Sequence, residues 1–145
     1  MSEVLAGAPD EVVTNAILRM VSLSPFGHNG ELALITLDNG ADHTRPNTFG
    51  PASLNELSSA IDQAQKTDAV AIAVTGKPFI FAAGADLSGV GAVKDISVAT
   101  AFGDLGHEVF LKLHESKKPT FAFINGLALG DGLQVGLNCH YRTLA

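Results

Sequence analysis

The sequence predicts an α/β fold built from repeated strand–strand–helix units, and three observations carry that expectation. Residues 69–75, Ala-Val-Ala-Ile-Ala-Val-Thr, are apolar at nearly every position, the mark of a central parallel strand covered on both faces. Leu54, Leu57, Ile61 and Ala64 recur at helical spacing behind Gly50-Pro51, with proline at the first helical position. Val98, Phe102, Leu105, Val109 and Leu113 form a second such stripe, with Asp95 near its start and Lys112 and His114 near its end. Amphipathic helices alternating with short apolar strands fit an α/β architecture.

In chain order, residues 1–10 read as a flexible N-terminus. Ile17-Leu18-Arg19-Met20-Val21 predicts a first strand, the cluster at 24–30 a turn, and residues 31–37 its hairpin partner. Residues 41–50 carry neither period, and a loop of that length inside a compact domain is often functional. The helix from Pro51 and the strand at 69–75 follow, broken by Gly76-Lys77-Pro78 before a second short run at 79–83. After the second helix, Lys117-Lys118 reads as a solvated helix end and residues 119–124 as a buried strand. Asn125-Gly126 reads as a turn, Gly130-Asp131-Gly132 as the opening of a helix, and residues 141–145 as the start of a further strand.

Composition narrows the function. The 145 residues suffice for one domain with a real core, and 46% hydrophobic against 17% charged residues excludes a disordered chain. A net charge of −6 with no basic run argues against nucleic-acid binding. No apolar run reaches the ~18 residues of a membrane span, and the acidic N-terminus is no secretory signal. The single cysteine, Cys139, reads as a small core residue in the last helix, in keeping with a reducing cytoplasm. His28, His43, His107, His114 and His140 show no metal-ligand spacing. Gly89-Val90-Gly91 begins like a dinucleotide loop, but Lys94 stands at the third glycine; Gly76-Lys77 lacks the phosphate-loop pattern; and Asp86 rules out a nucleophile elbow at Ser88.

Two motifs remain. A strand feeding a glycine-rich turn and a helix start, as at 120–132, leaves backbone N–H groups pointing at one spot, where an anion can be bound or stabilised. The same pattern also serves a plain strand–turn–helix connection. The stretch Phe-Ile-Asn-Gly-Leu-Ala-Leu-Gly-Asp-Gly-Leu-Gln-Val-Gly-Leu-Asn-Cys-His-Tyr-Arg-Thr-Leu-Ala, residues 123–145, resembles a signature of the crotonase (enoyl-CoA hydratase/isomerase) superfamily. Phe81-Ala82-Ala83-Gly84-Ala85-Asp86-Leu87 resembles the superfamily's other signature, at the right separation before it. Within the family the chain looks most like the hydratase part of bacterial multifunctional fatty-acid oxidation proteins, which pair it with a 3-hydroxyacyl-CoA dehydrogenase.

The resemblance implies a crotonase-like spiral of ββα units, with residues 11–145 the N-terminal part of a truncated hydratase-like domain. It implies that the N–H groups of Ala85 and Asp131 stabilise an enolate formed as water adds to a trans-2-enoyl-CoA. Ala82, Ala83, Gly84 and Asp86, with Asn47 and Thr48 of an earlier loop, would shape the coenzyme A site. It implies no cofactor for this segment, since coenzyme A belongs to the substrate and NAD enters only with a downstream dehydrogenase domain. The implied partners are an acyl-CoA or enoyl-CoA, further subunits of a homotrimer and, for a full-length protein, a thiolase.

The sequence departs from the pattern at the chemistry. Asp131 replaces glycine, which puts a carboxylate beside the expected anion; like charges about 5 Å apart repel by about 3 kcal/mol at an effective dielectric of about 20. Gln134 stands where hydratases carry a catalytic glutamate, and an amide can orient water but cannot take its proton. His140 replaces the usual aspartate, and the second catalytic glutamate is expected beyond Ala145. An inactive acyl-CoA-binding protein and an oligomerisation module are the alternatives to an enzyme.

Overall fold

The computed structural model describes residues 11–86 and 96–145. The expectations for residues 1–10, and for Leu87, Ser88, the glycines near 90 and Asp95, lie outside the described residues. Among the described residues, three strand–strand–helix units and one further strand follow one another: β1 (Asn15–Ser22), β2 (Glu31–Asp38), α1 (Pro51–Lys66), β3 (Ala71–Gly76), β4 (Phe79–Ala82), α2 (Ile96–His114), β5 (Thr120–Ile124), β6 (Gly126–Ala128), α3 (Asp131–Asn138) and β7 (Tyr141–Leu144). A five-stranded sheet runs β1-β2-β3-β5-β7, and β4 and β6 form a second, two-stranded sheet. The β1–β2 pair is antiparallel; β2–β3, β3–β5, β5–β7 and β4–β6 are parallel.

The burial pattern repeats the sequence pattern. Ala33, Ile35 and Leu37 alternate inward along β2, β3 is buried on both faces, and the stripe Leu54, Leu57, Ile61 and Ala64 is fully covered. On α2 the buried residues lie in the second half, where Val109, Phe110 and Leu113 close the core and Phe110 meets Phe49 edge-on at 5.8 Å. Phe102 and Leu105 of the predicted stripe are only half-buried against that core.

Polar groups hold the helix ends. The Glu11 carboxylate accepts from the N–H groups of Ala52 and Ser53 and from the Ser53 hydroxyl, which satisfies orphan donors and suits the positive end of the α1 dipole. Lys118 is not a solvated helix end: its ammonium donates to the Ala64 and Thr67 carbonyls and closes α1 at its other terminus. The Arg142 guanidinium does the same for α3, donating to Gly136, Leu137 and Cys139. His140 accepts the Thr120 N–H at Nδ1 and sits 2.9 Å from the His114 carbonyl at Nε2, so it ties the end of α2 to the start of β5.

Two local expectations change. Asn125-Gly126 is not simply a turn, because β6 continues from it parallel to β4; the short strand Gly-Leu-Ala has too few residues to show a period. Cys139 follows α3 as its C-terminal cap residue; it is buried, and that burial pushes its thiol up to about 12.

Truncating Leu57, which is fully buried, to alanine should cost about 2–5 kcal/mol in chemical denaturation. Amide hydrogen exchange should be slowest in α1 and β3 and fastest, among the strands of the large sheet, in β7, which has a neighbour on one side and exposed side chains throughout. Equal protection of β7 and β3 in the monomer would contradict this ranking.

Candidate active site

The site is built where the ends of β4 and β6 meet the start of α3. The Leu129 N–H donates to the Ala82 carbonyl, which joins the two turns side by side. A Cβ placed on Gly132 would lie 2.0 Å from that same carbonyl oxygen, so only glycine lets the helix seat there. Gly84 and Gly130 both adopt positive φ, at 101° and 49°, and face one another: a Cβ on Gly84 would lie 3.6 Å from the Asp131 nitrogen.

The first turn is anchored from the loop before α1. The Ala83 N–H donates to the Asn47 carbonyl, the Phe49 N–H to the Gly84 carbonyl, and the Asp86 N–H to the Phe49 carbonyl. In this parallel bridge between Phe49 and Ala85, the N–H of Ala85 itself points away from Phe49. It donates to no group of the chain among the described residues, and neither does the N–H of Asp131, the first residue of α3. Two adjacent turns therefore present two unpaired donors, the arrangement an oxyanion requires.

The other predicted residues fall into three groups. Ala82, Ala83, Gly84 and Asp86 form the turn itself, with Ala82 and Gly84 buried and the rest half-buried. Asn47 lies beside them but is fully buried, and its side chain is consumed: its amide donates to the Leu37 and Phe81 carbonyls and accepts the Asn39 N–H. Its side chain holds the turn from beneath. Thr48 is clamped at both backbone groups by the Thr14 hydroxyl. Gln134 stands one turn along α3 from Asp131 and is exposed. Asp131 is half-buried, and burial alone raises its carboxyl above the ordinary aspartate value.

Two positioning residues escaped sequence reasoning. Asn125 clamps the turn between β3 and β4, accepting the Gly76 N–H and donating to the Gly76 and Lys77 carbonyls. Lys77, which read only as a strand break, is almost wholly buried with its ammonium among oxygens of the loop at 39–45. The sole signal for Asn125 is its place in the second signature; for Lys77 there was none. A separate cavity of about 300 Å³ lies between that loop and the residues following β3, lined by His43, Lys77 and Phe79 among others. It shares no residue with the paired donors.

Among the described residues no three His, Cys, Asp or Glu side chains gather as a metal site, and no helix is long and apolar enough to cross a membrane. The enoyl-CoA hydratase/isomerase family model matches residues 27–145. Fatty acid oxidation complex subunit alpha of Shewanella frigidimarina is 32% identical over 116 residues, which make up 77% of this chain and 16% of that protein. The structure of Pseudomonas aeruginosa DspI aligns with a TM-score of 0.69 and 32% identity, over 93% of this chain and 51% of that one. Enoyl-CoA hydratase from Thermoplasma volcanium aligns with a TM-score of 0.72 over 88% of this chain and 48% of that one; at 23% identity this is a likeness of fold. The chain thus spans about half the length of these solved structures and a much smaller share of the fatty acid oxidation subunits. The family match extends from the turn before β2 to the last residue and takes in both glycine turns, and the chain belongs to the enoyl-CoA hydratase/isomerase family.

Proposed function

We propose that the chain is an acyl-CoA-binding, enoyl-CoA hydratase-like domain of fatty-acid β-oxidation, and that as written it hydrates poorly or not at all. The two unpaired N–H groups, of Ala85 and Asp131, carried on turns whose glycines 84 and 130 face one another, are the observation that supports the binding half of this reading. A thioester oxygen seated between them would gain two hydrogen bonds, which strengthen as water adds to the enoyl group and charge collects on that oxygen. Losing one such donor typically costs ~10²–10³ in rate.

The side chains support the second half. The Gln134 amide can orient a water but accepts no proton, and general-base catalysis is usually worth ~10²–10⁴. The Asp131 carboxylate stands on the same residue as one donor, where its charge opposes the enolate. Neither change touches the backbone that makes the donors, so binding outlives turnover. In a longer protein of the fatty-acid oxidation kind, the domain would work in the cytoplasm beside an NAD-dependent dehydrogenase domain and a thiolase, as part of an oligomer. It needs no cofactor of its own. A non-catalytic acyl-CoA-binding module is the second reading, favoured by Gln134 and Asp131; an oligomerisation module is favoured by the exposed Leu137, Tyr141 and Leu144.

Calorimetry with octanoyl-CoA tests the site. The wild-type chain should bind, and Ala83→Trp, which fills the turn, should abolish binding while the circular dichroism stays unchanged; undiminished affinity in that folded variant would count against the site. Turnover is read as loss of crotonyl-CoA absorbance. The 145-residue chain should not exceed a heat-killed control, and Asp131→Gly with Gln134→Glu should still fail, because the resemblance puts the partner carboxylate beyond Ala145. The same pair in a chain that carries that carboxylate should turn over. Activity of the unmodified chain would refute the silent reading.

A further inference from the structure

Lys77 is 4% exposed, and its ammonium lies 2.5 Å from Asn39 Oδ1 and 2.8, 2.9 and 2.7 Å from the carbonyl oxygens of Ala41, Asp42 and Arg45. A lysine carries three protons and no acceptor, so four oxygens around it form a cage for a small cation, and none of the four belongs to a carboxylate. A buried ammonium is tolerated only when coordinated in this way. The cage is made of the loop that follows β2: the Asp42 and Arg45 carbonyls also accept the Arg45 N–H and the Asn39 side-chain amide, and the Ala41 carbonyl relies on the ammonium.

From the cage, hydrogen bonds lead to the donor turn. Asn39, whose side-chain oxygen touches the ammonium, donates its N–H to Asn47 Oδ1 at 3.1 Å and its amide to the Pro46 carbonyl at 3.0 Å. Asn47 in turn receives the Ala83 N–H at 2.8 Å and donates to the Phe81 carbonyl at 3.1 Å. The Lys77 backbone meets the second signature as well, since its carbonyl accepts from the Asn125 amide at 2.8 Å. Its N–H donates to the Leu37 carbonyl at the end of β2.

We infer that Lys77 is a positioning residue: a tethered cation that orders the loop at 39–47 and, through Asn39 and Asn47, sets the turn that carries the Ala85 donor. The inference rests on the acyl-CoA reading for its effect on ligand affinity, but not for its effect on the turn. Its mark is ionic. What the loop needs is a small ammonium at one point, and the four-carbon stem only delivers it.

The test is Lys77→Ala with propylammonium, which replaces the atoms removed. In the 145-residue protein, Lys77→Ala should raise amide exchange at Ala83 and Asp86 by roughly tenfold or more, while exchange in α1 stays unchanged. It should weaken octanoyl-CoA by a similar factor. Millimolar propylammonium should restore both, and tetramethylammonium at equal ionic strength should restore neither, because it has no N–H to donate. Lys77→Met, which keeps the volume without the charge, should behave like Lys77→Ala without rescue. Folding of Lys77→Ala only in propylammonium would also support the proposal. Unchanged exchange at Ala83 and Asp86, equal rescue by tetramethylammonium, or failure to fold with and without propylammonium would each overturn it. If the wild-type chain binds no octanoyl-CoA, the acyl-CoA reading falls, and the exchange and rescue measurements still decide the part assigned to Lys77.

Discussion

The contact on which the rest of the site depends is the seating of α3 on the end of β4. Helix and strand meet there without an intervening side chain: the first turn of α3 rests on the Ala82 carbonyl because residue 132 has no Cβ. The adjoining bond from Leu129 to Ala82 fixes the angle of approach. That single contact decides whether two turns far apart in the chain, one at Ala85 and one at Asp131, offer one ligand site or two unrelated loop ends. It cannot be held by burial alone, since the groups involved are backbone amides whose net value is about 1 kcal/mol each. The neighbouring polar side chains supply the number: Asn125 on the β3–β4 turn, Asn47 under the donor turn, Thr14 on Thr48.

Much of the fold was legible because it obeys a period. The two-faced apolar run became β3, the helical stripe became the buried side of α1, and the alternation after Gly30 became β2. What escaped notice has no period to show. β6 is three residues long, and a strand of that length is defined by its partner, β4, rather than by its own pattern. Lys77, Asn47, Asn125 and Glu11 each act on carbonyls or amides far along the chain, and a side chain bonded to distant backbone leaves no trace in its neighbours' identities. The site was legible in a different way: the glycines at 84, 130 and 132 are where backbones must bend or touch, and the two signatures resembled a known family at those positions. The resemblance placed Asn47 in a loop beside the first turn without saying which way its side chain points, and that side chain is spent on Leu37, Phe81 and Asn39.

The departures from the family pattern separate architecture from chemistry. Asp131 and Gln134 lie on α3, yet α3 forms, seats and exposes its first N–H as the fold requires. Asp131 sits in the first turn, where a helix favours a carboxylate, while its partial burial disfavours the charge. Membership of the family is a statement about the backbone and its contacts; what the site does depends on side chains that the backbone does not constrain.

The parallel pairing has a kinetic side. Of the paired strands described, only β1 and β2 are joined by a short turn; Val74 of β3 meets Ala122 of β5, and Phe79 of β4 meets Gly126 of β6, each across an intervening helix. Bringing such strands together means closing long loops before any pairing rewards it, so the hairpin with α1 is the natural nucleus and the later units add to it in turn. The two donor turns belong to the second and third units. The site therefore waits on the pairing of β4 with β6 across α2, and it is lost whenever that pairing opens.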